Sequence, residues 1–86
     1  MSALELLDST SNAVVAKHSG RHFLGILIQG DTLNIICTDL GELKHEIDAK
    51  NFEAAMEIAD ILLERFNDLQ SHYESVLKKH GLSLPY

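Results

Sequence analysis

The chain has a single cysteine, Cys37, so no internal disulfide can staple its 86 residues together. Long hydrophobic runs are absent too. The longest aliphatic stretch, Phe23–Ile28, is far short of the ~20 residues that a membrane-spanning helix needs. The N-terminal decapeptide MSALELLDST carries Glu5 and Asp8 where a secretion signal would be basic and then apolar. These absences argue against a membrane and against export, and a reducing cytoplasm is the expected compartment. Basic residues are also scarce, seven against thirteen acids, for a net charge of −6. The deficit is concentrated between Asp39 and Glu74, where ten acids face only Lys44, Lys50 and Arg65. Such a field repels nucleic acid and anionic lipid and favours encounter with basic surfaces. Neither nucleic acid nor a membrane is therefore expected as a partner.

The usual vocabulary of catalysis is thin. The stretch FLGILIQGDTLNII (Phe23–Ile36) has the order strand, glycine, acid, helix that many phosphate sites share. A phosphate turn, however, needs several glycines whose amides converge on the anion, and usually a lysine. Here Gly30 stands alone at the corner, and Asp31 is placed to cap the helix, accepting from the amide of Leu33 or Asn34. His18 and His22 flank a turn without a cysteine or carboxylate close in sequence to complete a metal site. HEIDAK lacks the second histidine that a zinc-hydrolase helix requires. Cys37 falls beside an apolar helix face, where a small buried thiol is expected. No serine sits in a glycine-flanked elbow, and no carboxylate has the apolar flanks that would raise its pKa for acid catalysis. The reading is of a protein that is not an enzyme, with no metal and no cofactor.

What is present describes a fold. Leu4–Leu7 and Asn12–His18 read as strands, and Phe23–Gln29 as a third, joined to the second through the glycine-containing Ser19–His22. Leu24, Ile26 and Ile28 alternate with Phe23 and Leu27, so both faces of the third strand are apolar and it is expected at the centre of its sheet. Leu33, Ile36, Cys37, Leu40, Leu43 and Ile47 recur at helical spacing, interrupted by Gly41. A longer pattern runs from Phe52 through Ala55, Met56, Ala59, Leu62, Leu63, Phe66, Leu69, Tyr73 and Val76 to Leu77. Asn51 can cap its start and Gly81 its end. The expected architecture is α+β: one domain over 1–86 with a small three-stranded antiparallel sheet (3–29), a helix over 32–47 and a long helix over 51–80. Leu24, Ile26, Ile28, Leu33, Ile36, Leu40, Leu43, Phe52, Ala59, Leu62, Leu63 and Phe66 are expected to share one core. A helix of about 45 Å outruns so small a sheet. Its far end, Tyr73–Leu77, is then expected to pack on the first helix, a second subunit or a partner.

The best functional signal lies on the long helix. Glu53, Glu57, Asp60, Glu64 and Asp68 fall within a sector of roughly 80° at 100° per residue, opposite the apolar stripe. Glu53 faces Glu57, Asp60 faces Glu64, and Glu64 faces Asp68, like charges that cost a few tenths of a kcal/mol per pair. A solvated face more often mixes signs. These five carboxylates are the candidate partner-binding residues.

NAVV (Asn12–Val15), GRHFLG (Gly20–Gly25) and IQGDTL (Ile28–Leu33) resemble the motifs of a family of short bacterial proteins of uncharacterised function. That family's pattern runs Asn-Ala-Val-Val, Pro-Gly-Arg-x-Phe-Pro-Gly and Gln-Gly-Asp-Ser-Leu. The chain departs from it at Ser19 and Leu24, where the family has proline, and at Thr32, where it has serine. Small acidic proteins that look like these are often immunity partners of secreted bacterial toxins. The resemblance implies a non-enzymatic, antitoxin-like protein that binds and blocks a cognate basic toxin through its acidic surface. The alternative is a homodimeric structural or adaptor domain that associates through the long C-terminal helix.

Overall fold

The computed structural model describes residues 4–7, 13–18 and 24–86. Five elements follow in order: β1 (Leu4–Leu6), β2 (Ala13–His18), β3 (Gly25–Ile28), α1 (Gly30–Asp48) and α2 (Phe52–Lys79). The chain is α+β, an antiparallel sheet followed by two helices of which the second is the longer. It divides into two compact units. One consists of Met1–Gln29 with Leu69–Tyr86, the other of Gly30–Asp68. Residues 69–79 of α2 thus belong to a sheet unit and residues 52–68 to a helical hairpin.

In the sheet unit, β2 pairs with β3 so that Val15 stands opposite Ile26 and Ala13 opposite Ile28. Leu4–Leu6 runs along the other edge of β2, and the Leu7 amide donates to the Val15 carbonyl at 2.9 Å. The strand order β1-β2-β3 puts β2 in the middle, which corrects the expectation that β3 would be central. Successive strand residues point to opposite faces, and Val15 and Ala16 are both buried. On β3, by contrast, Leu27 is exposed. The apolar alternation of the third strand is that of a half-covered edge. Phe23, the Ser19–His22 connection and His22 lie outside the described residues, as does the side chain of His18.

One face of this sheet is covered by the last turns of α2. Val15, Tyr73, Val76 and Leu77 form a buried cluster, with Leu7, Leu24 and Ile26 packed against it. Tyr73, Val76 and Leu77 stand at i, i+3 and i+4 and so share one side of the helix. The Tyr73 hydroxyl donates to the Leu24 carbonyl at 2.7 Å, giving a mostly buried phenol its partner. The far end of the long helix is therefore the part that the sheet covers, and the expectation for Tyr73–Leu77 is reversed. The helix stops as its glycine suggests. Gly81 adopts φ 69°, its amide donates to the Lys78 carbonyl, and the Leu82 amide donates to that of Leu77. This pair of bonds is the Schellman closure.

The hairpin unit joins α1 to α2 through Ala49–Asn51, a link short enough to make the helices antiparallel neighbours. The link repeats the same closure. The Lys50 amide donates to the Ile47 carbonyl and the Asn51 amide to that of Glu46. Here the left-handed position is Lys50, at φ 60°. The Asn51 carbonyl accepts from the Ala55 amide at 3.0 Å, so Asn51 stands at the N-cap position of α2. At the other end, α1 begins at Gly30 rather than Thr32. Asp31 lies in the first turn, and its Oδ1 accepts from the Thr32 amide at 2.8 Å. It satisfies a first-turn amide from inside the helix, not from the N-cap position and not from Leu33 or Asn34.

The expected common core does not form. Ile36, Ala55 and Leu62 are buried, while Leu33, Leu40, Phe52, Leu63 and Phe66 are exposed. Leu24 and Ile26 pack instead with the end of α2. The physical reason is that the apolar pattern of each hairpin helix is wider than the line along which it is covered.

Candidate functional site

The covered positions of α1 are Thr32, Ile36, Asp39, Leu43 and Glu46, a single line at alternating spacings of four and three. Those of α2 in the hairpin are Ala54, Ala55, Ile58, Ala59, Leu62 and Arg65, a stripe centred on the line from Ala55 to Leu62. Beside each runs a second, uncovered apolar line. On α1 it consists of Leu33, Cys37, Leu40 and Ile47, and on α2 of Phe52, Met56, Leu63 and Phe66. Phe52 and Met56 are each 64% exposed and Leu63 60%. At 100° per residue, each uncovered line is rotated from its covered line by roughly 100°, in the same sense about the N-to-C axis. Helices of a hairpin run in opposite directions, so equal rotations bring both lines to one side. The hairpin carries an apolar face on one side.

Cys37 belongs to this face and is exposed, which corrects the expectation of a buried thiol. It sits about 100° from Ile36 on the helix, far enough round to clear the covered line. Lys44 interrupts the face, and its Nζ lies 3.5 Å from Asp48 Oδ2 one turn on. Exposed Ile35 and Ile61 fall on the opposite side of the hairpin and stand apart from this patch.

The five candidate carboxylates all lie on the hairpin part of α2, and all are exposed. Their line runs round the outer side of α2, next to the apolar line and away from the covered one. Among the described residues, none of the five is in an ion pair. Also among the described residues, no three His, Cys, Asp or Glu side chains gather into a metal-holding group, and no helix is long and apolar enough to cross a membrane.

The sheet unit has a feature of its own. Glu74, Lys78, Gly81, Leu82 and Leu84 line an open groove of about 410 Å³ where the C-terminal tail turns back along α2. The Tyr86 hydroxyl donates to Glu74 Oε2 at 2.6 Å, and this bond to a carboxylate raises the pKa of the phenol.

Sequence reasoning thus located the acidic line but missed the apolar face beside it. A signal for it was available. The apolar positions of residues 52–66, Ala54 and Ile61 included, span about 220° of α2 at 100° per residue, more than one contact line of an ordinary amphipathic helix uses.

Together these features define a small α+β protein whose hairpin offers an apolar face bordered by carboxylates. By family, the chain belongs to DUF6959, a family of unknown function, which it matches over residues 1–86. No curated protein and no solved structure matches it.

Proposed function

We propose that this protein acts without catalysis of its own, by binding a basic protein in the bacterial cytoplasm through the outer side of α2. The reading is that of an immunity protein, with a cognate toxin as the partner. The observation that carries it is the line Glu53, Glu57, Asp60, Glu64 and Asp68, exposed to solvent and without counter-ions among the described residues. Uncompensated carboxylates at one-turn spacing repel one another, and a partner's lysines and arginines would relieve that repulsion. A toxin that acts on nucleic acid or nucleotides is basic where it grips its substrate. An acidic helix laid across such a groove both blocks it and is steered to it.

Charges of this kind act chiefly on the association rate, and salt screens them over about 8–10 Å at physiological ionic strength. The test is the association rate against salt for the wild type and for the double variant Glu57→Lys, Asp60→Lys, with the product of the adjacent gene as partner. The variant should associate about tenfold or more slowly at low salt, with a shallower salt dependence. Its fold should be unchanged, because both residues are exposed. Equal rates at low salt would reduce the acidic line to a solvated surface.

A further inference from the structure

We propose that the apolar face of the hairpin is the contact between two copies of this chain, which meet as a four-helix bundle. The first argument is area. Leu33, Leu40 and Ile47 on α1 and Phe52, Met56, Leu63 and Phe66 on α2 each leave about half or more of their surface uncovered. At roughly 100 Å² apiece they amount to about 700 Å² of apolar surface. The largest patch on a typical monomer is about 300–600 Å², and each partner of a standard-size interface contributes about 800 Å². One hairpin therefore supplies nearly the whole of one side of a stable dimer.

The second argument is charge. Lys44 and Asp48 are the charges on this face, and they pair with each other at 3.5 Å. A face that is neutral within itself offers nothing to a strongly basic or acidic partner. It does match its own copy, because a two-fold contact sets the same patch against itself. Two phenylalanines and a methionine in a charge-depleted centre are also the composition of an interface core. The carboxylates of α2 lie round the side of the helix, so two acidic chains can meet here without opposing those charges directly. The acidic line would remain outside the bundle.

The third argument is size. An 86-residue chain buries a small share of its unfolded surface, and here the hairpin buries only Ile36, Ala55 and Leu62 outright. Pairing with a second hairpin would cover the unused apolar line of all four helices at once, as bundles of antiparallel helices do.

The test is the mass of the full-length chain by light scattering or sedimentation, from low to high micromolar concentration, with no other protein present. The wild type should weigh twice 9.6 kDa. The double variant Met56→Glu, Leu63→Glu should be monomeric at the same concentrations with its helical circular dichroism retained. Ile61→Glu, on the opposite side of the hairpin, should leave the mass unchanged. If the double glutamate variant does not fold, Met56→Gln alone should raise the dimer dissociation constant at least severalfold. Modification of Cys37 by a thiol reagent should likewise speed up as the wild type is diluted. A wild type that stays monomeric throughout overturns the proposal, as does a dimer that Ile61→Glu dissociates and the Met56 and Leu63 changes do not. The dimer does not depend on a toxin, so failure here leaves the acidic line to be judged by its own experiment.

Discussion

The two units of this chain treat the same kind of residue in opposite ways. In the sheet unit, Leu77 is 1% exposed and its neighbours on α2 close onto Val15 and Leu24. In the hairpin, Leu63 on the same helix is left largely in solvent. A helix buries what its own neighbours can reach, and a sheet presents a broad surface while a single antiparallel helix presents a line. The stripe on α2 is continuous in sequence, yet only its last third meets something wide enough to cover it. Apolar surface that one copy leaves bare is the hairpin's distinguishing property, and it points outward to association.

The largest expected effect tests that contrast directly. Leu77→Ala should cost about 2–5 kcal/mol in denaturant unfolding, since it empties a fully enclosed site. Leu63→Ala in a dilute, monomeric sample should cost under about 1 kcal/mol, because the side chain is exposed there already. If dimers form, the Leu63 cost should grow with protein concentration while the Leu77 cost at fixed assembly does not, as mass action requires. Equal costs at high dilution would erase the distinction between the units.

Tyr73 sharpens the comparison from the side of the sheet. Tyr73→Phe keeps the ring but orphans the Leu24 carbonyl, and should lower stability by about 0.5–1.5 kcal/mol. Burial raises the pKa of the Tyr73 phenol above its ordinary value of 10.0. The folded chain therefore holds this proton at pH values where the unfolded chain has lost it. The associated stability is complete below pH 10 and declines as the pH rises through the folded value. In alkaline titrations monitored by unfolding, the wild type should lose this increment and Tyr73→Phe should not. The hairpin part of α2, 52–68, contains no tyrosine and should show no matching step of its own.

How far the sequence disclosed this structure differs between the units for a physical reason. Local chemistry was legible in both. Gly81 stops α2, Asn51 starts it, and the 3.6-residue period placed both helices within two residues of their ends. The exposure of the acidic line was legible as well, because five like charges on one side of a helix are too costly to bury without partners. Pairing over distance was not legible. Val15 and Ile26 look like any aliphatic pair until the register sets them opposite each other, and the edge position of β3 depends on which strand lies beside it. Eleven apolar positions on α2 are equivalent to a periodicity argument, which cannot say that Tyr73 meets the sheet and Phe66 meets solvent. Cys37 was misplaced because a position 100° from the covered line still belongs to the apolar stripe.

The smallest expected effect concerns two helix ends closed in the same way. The closure after α2 has glycine at its left-handed position, Gly81 at φ 69°, and the closure after α1 has Lys50 at φ 60°. A side chain at such a φ costs roughly 1 kcal/mol, because Cβ crowds the following carbonyl. Lys50→Gly removes that strain while keeping both backbone bonds. Against this stand the greater freedom of glycine in the unfolded chain and the loss of a cation near the α1 C-terminus, worth about 0.3 kcal/mol at an exposed site. The balance favours glycine at a position the native chain already holds left-handed. Lys50→Gly should therefore raise the unfolding free energy by about 0.5 kcal/mol, and Gly81→Ala should lower it by about 1 kcal/mol. Denaturant midpoints on the two variants measure both. If Lys50→Gly destabilises, the Lys50 side chain contributes something to the hairpin that its backbone geometry does not reveal.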